Sequence, residues 1–173
     1  MRAFQALLCS IAVVAAVPLT YTAKLDSTAS PVLAGRHVGT FPLAVRLFGR
    51  PDGVRRVAGG EPTCLASWRR YGLEMRFDTA GACASSDLGV WRQVTMRALR
   101  WHTRLGLHVG DSEAKLNSLY PDARSLRFLG LGDLRELETG GPLCDGGPPL
   151  ALAARIASGK VGALLVVHVP ACG

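Results

Sequence analysis

One short helix signal occurs twice in this chain of 173 residues and constrains the fold more than any other feature. The clearer copy lies within residues 106–121. Asp111 or Ser112 can cap a helix there, and Pro121 ends it. Apolar side chains follow at helical spacing, namely Leu116, Leu119 and Tyr120. The stretch therefore predicts a short helix that packs on one side.

Residues 38–49 repeat this signal 71 positions earlier. Thr40 takes the place of Asp111, and Pro42 is tolerated in a first helical turn. The apolar residues Val45 and Phe48 then correspond to Leu116 and Leu119 at the same offset. A constant offset indicates an internal repeat, so we expect two equivalent helices with these four side chains all buried.

Strand signals follow each helix. Residues 64–68 and 73–77 predict a hairpin, with Leu73, Met75 and Phe77 on one face by strict alternation. Further strands are predicted at 94–101, 125–129, 133–138, 150–157 and 161–169. We therefore predict an α+β fold made of two helix-then-antiparallel-strand repeats, 36–104 and 105–173. Both helices should pack on one face of an antiparallel sheet.

The N-terminal segment is typical of a secretory signal peptide. Arg2 precedes an apolar run over residues 3–19, and the following Thr20, Thr22 and Ala23 offer small residues for cleavage, although Tyr21 does not fit the usual pattern. We predict a signal peptide at 1–23, a linker without fixed structure at 24–35, and one domain at 36–173. The chain is then secreted, with no membrane span after cleavage. An uncleaved N-terminal anchor stays open as the alternative.

Four cysteines remain after this cleavage: Cys64, Cys83, Cys144 and Cys172. In an exported chain they indicate two disulfides, for which three pairings are open. Because each pair would bracket one predicted hairpin, we expect Cys64–Cys83 and Cys144–Cys172. Cysteines so far apart in sequence do not indicate a metal site, and we expect neither a metal nor a cofactor.

Charge is concentrated in the first half of the domain. Residues 36–104 hold 12 Arg against 5 acidic residues, whereas residues 105–173 hold 6 basic and 7 acidic residues. A positive half could attract an anionic cell-envelope polymer, a membrane surface or an acidic protein. A solvated surface without a dedicated ligand is the plainer interpretation. We expect no nucleic-acid partner.

Residues 110–112, Gly-Asp-Ser, match the start of the motif of GDSL-type hydrolases, whose Ser is a nucleophile. In this chain Glu113 replaces the Leu of that motif, and none of the four histidines follows an Asp at the third position. A nucleophilic Ser needs a base within hydrogen-bond reach. We therefore interpret Ser112 as a helix cap and predict no catalytic residue.

The most exposed candidate binding cluster is the predicted hairpin tip, where Arg69, Arg70 and Tyr71 place cationic and aromatic groups side by side. The three tryptophans, Trp68, Trp91 and Trp101, are more simply explained as packing residues. The hairpin tip is thus the binding site that the sequence predicts.

Two resemblances rest on these residues. Gly-x-x-x-Gly-Asp-Ser at 106–112, the helix that ends in Tyr-Pro, and the hairpin at 64–77 together resemble a family of small secreted bacterial proteins of unknown function. The doubled helix-and-strands plan is similar to β-lactamase-inhibitory-protein-like and SmpA/OmlA-like modules. This second resemblance implies an interaction domain, not an enzyme.

The sequence therefore predicts an exported, non-enzymatic interaction module that binds a protein partner at the cell surface or in the medium. Two alternatives stay open. One is a small secreted hydrolase, and the other is a binder of anionic wall polymer or membrane surface through the basic first half.

Overall fold

The computed structural model of the chain describes residues 20–25, 31–58, 62–128, 131–140 and 150–168. These residues contain two α-helices, α1 (Phe41–Phe48) and α2 (Glu113–Leu119), and a larger number of β-strands. The strands are β1 (Tyr21–Leu25), β2 (Pro31–Leu33), β3 (Arg36–His37), β4 (Gly53–Val57), β5 (Thr63–Trp68), β6 (Leu73–Thr79), β7 (Leu88–Met96), β8 (Trp101–Thr103), β9 (Arg124–Phe128), β10 (Gly132–Gly140), β11 (Leu150–Ala157) and β12 (Lys160–His168).

Eight of these strands form the main sheet, in the order β4-β5-β6-β7-β12-β11-β10-β9, and every neighbouring pair is antiparallel. A smaller sheet has the order β3-β2-β1-β8, with β1 parallel to β8. The prediction of an α+β fold with an antiparallel sheet is therefore confirmed, although strands dominate.

Strict alternation of apolar residues determines which side of the main sheet is the core. In β6 the side chains of Leu73, Met75 and Phe77 are buried, whereas the residues between them are half-buried. Because successive strand side chains point to opposite faces, one face of the sheet becomes apolar. The predicted hairpin of β5 and β6 is thereby confirmed.

Both helices contribute to the same hydrophobic cluster on this apolar face. Phe48 of α1 and Leu116 of α2 lie in the cluster together with Trp68, Val94 and Val166 of the sheet. The opposite face has its own smaller apolar cluster only in the β10–β12 half, built from Leu134, Ala151, Ala163, Leu165 and Val167 among the described residues. The β4–β7 half of that opposite face is polar.

One predicted disulfide is present and one cannot be placed. Cys64 and Cys83 are bonded, with Cα atoms 5.7 Å apart, so this prediction is confirmed. Cys64 lies on β5, and the loop that carries Cys83 follows the partner strand β6. Cys144 and Cys172 lie outside the described residues, and their pairing stays a prediction.

The predicted linker at 24–35 is wrong in its described part. Lys24 belongs to β1 and residues 31–33 form β2, where Val32 and Leu33 are buried. The residues of β1 do alternate, with Thr22 and Lys24 between the apolar Tyr21, Ala23 and Leu25, but the expected cleavage after residue 23 divides this pattern. β2 has only three residues and is too short to show a period. Ala23 is also buried, so the predicted boundary after residue 23 falls inside β1.

The 71-residue offset between the helices is also wrong. Thr40 and Ser112 are the N-cap residues, and they are 72 positions apart. Phe48 and Leu116 are buried as expected, but Val45 and Leu119 are only half-buried. Ala44 and Tyr120 are buried in addition, which matches an offset of 72.

Two strand predictions also need correction. The segment predicted as one strand at 94–101 is divided, because β7 ends at Met96 and Trp101 begins β8 in the smaller sheet. The edge strand β4 was not predicted, since its Arg55 and Arg56 are exposed and only Val54 and Val57 are half-buried. An edge strand with so little apolar surface has no periodic signal.

Candidate binding site

The polar half of the main sheet carries charged side chains that the alternation of β6 places opposite the core. Glu74 and Arg76 are half-buried there, between the inward residues Leu73, Met75 and Phe77. Because the core holds these inward residues in place, Glu74 and Arg76 must point to the opposite face. Only a one-residue shift of the strand register would move them to the core face.

The strand register aligns further polar residues with them. Arg55 of β4 is paired with Leu65, Leu65 with Arg76, and Arg76 with Gln93 of β7. Arg55 and Arg76 are therefore two strands apart, at a backbone separation of about 10 Å. In a second set of residues paired across the strands, Glu74 of β6 lies opposite Thr95 of β7.

These rows line a groove of about 190 Å³, which we call the arginine groove. Its lining combines four guanidinium groups, one carboxylate, two amide or hydroxyl groups and two leucines. The lining residues are Arg55, Leu65, Glu74, Arg76, Gln93, Thr95, Arg97, Leu131 and Arg155. Arg155 comes from β11. It can line the same groove because only one strand, β12, lies between β11 and β7 in the sheet.

The positive charges of the groove are incompletely compensated. Arg97 contacts Glu74 at 3.4 Å through both its Nε and its Nη2. Burial lowers the pKa of Arg155 and the nearby charge of Arg97 lowers it further, while Glu74 acts in the opposite direction. The Nε of Arg76 is buried and has no hydrogen-bond partner among the described residues. The four arginines of the groove therefore carry more positive charge than Glu74 neutralises, and this excess favours an incoming anion.

The binding site that the sequence predicts at the hairpin tip does not coincide with the arginine groove. Arg69, Arg70 and Tyr71 form a 3-10 turn between β5 and β6, and the two arginines are exposed. The ring of Tyr71 is 5.2 Å from that of Phe48, and its carbonyl accepts a hydrogen bond from the indole of Trp101 at 2.7 Å. Tyr71 therefore packs against the core, and the three predicted residues do not belong to the arginine groove.

Ser112 occupies the position predicted for a helix cap. Its Oγ accepts a hydrogen bond from the backbone amide of Lys115 at 3.2 Å, so the capping prediction is confirmed. Asp111 beside it accepts a hydrogen bond from the amide of His108 at 2.7 Å and pairs with Lys115 at 2.8 Å. The rings of His102 and His108 stack at 5.0 Å.

A second concavity of about 550 Å³ lies beside α1, lined by Phe41, Pro42, Val45, Arg50, Pro51 and Ser85. It has one cationic side chain and no carboxylate among its lining residues, so it offers less directional chemistry than the arginine groove. Within the described ranges, no three His, Cys, Asp or Glu residues are grouped so that they could hold a metal ion. No helix in the same ranges is long and apolar enough to cross a membrane.

The arginine groove was not predicted, although the sequence contains part of its signal. Alternation in residues 73–77 already places Glu74 and Arg76 on the face away from the core. The contribution of Arg97 and Arg155 depends on which strands are neighbours, which the sequence pattern does not specify. No protein-family model, curated protein or solved structure matches this chain, so its own geometry is the basis for a functional proposal.

Proposed function

We propose that this chain is an exported, non-enzymatic binding module whose arginine groove binds an acidic protein partner. The observation that carries the proposal is the charge of the groove, where four arginines surround the single carboxylate of Glu74. Arginine forks bind carboxylates through paired, charge-assisted hydrogen bonds.

The shape of the groove favours a protein partner over a flat anionic surface. A volume of about 190 Å³ on one sheet face can admit a projecting side chain. Leu65 and Leu131 in the lining offer apolar contact for the methylene groups of such a side chain. A flat membrane surface would contact only the exposed residues at the edge of the groove. It would not reach Arg76 and Arg155, which are half-buried.

The test measures binding of a fluorescein-labelled peptide of ten glutamates by fluorescence anisotropy, with a ten-glutamine peptide as the uncharged probe. We expect the glutamate peptide alone to bind, and its affinity to fall as salt rises to about 0.5 M. Arg97→Gln combined with Arg155→Gln should weaken binding about tenfold, because two charge-assisted contacts are lost.

The matched control is Arg36→Gln combined with Arg46→Gln, which removes the same charge from exposed positions on β3 and α1. Equal losses in the two double variants would mean that only net charge matters, and the arginine groove would not be the site. If the double variant Arg69→Gln, Arg70→Gln were the only one to lose binding, the binding site would be the hairpin tip and not the arginine groove. Binding to anionic phospholipid vesicles with none to the peptide would favour the membrane alternative.

Export is part of the same proposal, and the basic start and apolar run of residues 2–19 support it. The processing site, however, should lie before Tyr21. The ring of Tyr21 packs against that of Trp101 in a tilted arrangement, with 5.0 Å between the ring centroids, and Ala23 is buried in β1. The fold therefore uses both residues. N-terminal sequencing of the exported protein checks this inference, and a mature chain that starts at Lys24 would contradict it.

We also infer that the two helix-and-strands units, 36–104 and 105–173, are repeats. Each helix is followed by four strands of the main sheet, and β7 and β12 meet at its centre. In that central pair Val94 lies directly opposite Val166, which is 72 positions later, as the two helix caps are. A two-fold axis through this pair would relate the units. The resemblances to other interaction modules stay predictions on the same footing.

A further inference from the structure

Glu74 occupies the arginine groove in a way that leaves its contact weak. It is the only acidic residue that lines the groove within the described part of the chain. Its Oε2 lies 3.4 Å from both donors of Arg97, whereas a strong charge-assisted hydrogen bond is about 2.8 Å long. The two side chains are 34% and 49% exposed, so water competes for the same contact.

Among the described residues that line the groove, no acidic side chain other than Glu74 faces the remaining arginines. Arg76 presents a buried Nε that has no hydrogen-bond acceptor among the described residues. Arg155 and Arg97 are close enough for each charge to disfavour the other, and Glu74 alone offsets this repulsion. A second carboxylate, or a better placed one, would therefore gain more from the groove than Glu74 does.

We propose that the arginine groove binds one carboxylate side chain of the partner, and that Glu74 is an internal competitor which the incoming carboxylate replaces on Arg97. This inference rests on the proposed function, because it assigns the ligand group of the same site. The ligand class is a carboxylate, because a carboxylate already occupies this donor pair and because planar guanidinium groups match its two oxygens.

The decisive variant is Glu74→Gln, which keeps the size of the side chain and removes its charge. Its matched control is Asp78→Asn on the same strand and the same sheet face. Asp78 pairs with Arg92 at 2.5 Å and does not line the groove. Both variants raise the net charge by one, so any difference between them reports the local effect in the groove.

We expect Glu74→Gln to bind the ten-glutamate peptide about threefold more tightly at low salt, which is the size of one partly exposed charge pair. Asp78→Asn should change the affinity less than about 1.5-fold, because Asp78 lies outside the groove and salt screens the effect of its charge on the peptide. Sodium acetate should compete with the peptide more strongly than sodium phosphate at equal ionic strength. Thermal unfolding of each variant confirms that the fold is retained, and Glu74→Asp, with a shorter reach to Arg97, serves if Glu74→Gln does not fold.

The outcomes separate this inference from the proposed function. If Glu74→Gln binds the peptide like Asp78→Asn while the Arg97 and Arg155 double variant loses binding, the site stands and the competitor role is wrong. Weaker binding by Glu74→Gln would also overturn it, because Glu74 would then position Arg97 for the ligand. Stronger competition by phosphate would overturn the carboxylate assignment. If no groove variant changes binding, the proposed function itself fails.

Discussion

Replacing Phe48 by alanine tests whether the aromatic cluster under α1 is the centre of stability. Phe48 is the last residue of α1 and is 6% exposed. Its ring lies 5.2 Å from Tyr71, 6.1 Å from Trp68 and 6.4 Å from Trp101. A buried Phe→Ala change costs about 3–5 kcal/mol, and three aromatic neighbours favour the upper part of that range. We expect a loss of about 4 kcal/mol.

Urea unfolding followed by tryptophan fluorescence measures this loss, since Trp68 and Trp101 both neighbour Phe48. Leu43→Ala is the matched control on the same helix, because Leu43 is 41% exposed and its truncation should cost less than about 0.5 kcal/mol. If Phe48→Ala does not fold, Phe48→Leu should still show a loss of about 1 kcal/mol. A loss below about 1 kcal/mol for Phe48→Ala would refute the assignment of this cluster as the core.

Three further predictions follow from local contacts. Replacing Cys64 and Cys83 by serine should lower the free energy of unfolding by about 3 kcal/mol, as expected for a bridge over 19 positions, and urea unfolding measures it. Ser112→Ala should cost about 1 kcal/mol through the lost cap and leave any ester hydrolysis unchanged, whereas loss of turnover would support the hydrolase alternative. Burial by itself raises the pKa of Asp111, but hydrogen bonds from Lys115 and the His108 amide outweigh it and hold this pKa below its usual value. The resulting stabilisation is present above the unfolded pKa of about 3.9 and is lost as pH falls through the folded pKa, so Asp111→Asn should show a smaller acid-induced loss of stability than the unmodified chain.

The sequence predicted the elements whose signals are local. The hairpin of β5 and β6, the strands β11 and β12, and the cap at Ser112 all depend on residues within one short window. The N-terminal strands were not predicted for two reasons. The alternation of β1 was divided by the expected signal-peptide cleavage after residue 23, and β2 has only three residues, which are too few to show a period. The exposed edge strand β4 was not predicted because it buries almost nothing.

The arginine groove could not be predicted because it is a product of strand order. Arg97 and Arg155 are far apart in sequence, and they line one groove only because β12 lies between β7 and β11. A one-residue change of register in β6 would turn Arg76 into the core and Met75 out of it. The charge of the groove therefore depends on the same burial of Leu73, Met75 and Phe77 that holds the sheet together.

The proposed two-fold relation allows the two halves of the main sheet to be compared position by position on the face opposite the core. Met75 is paired with Val94 and Leu152 with Val166, so Met75 and Leu152 occupy corresponding places. Glu74 and Arg76 of β6 then correspond to Ala151 and Ala153 of β11, which are both buried. Under the proposed relation, only the first unit carries charged side chains at these corresponding positions. If the two units are repeats as proposed, the described residues form the arginine groove around the charged positions of the first unit, and we expect the binding of one acidic side chain there.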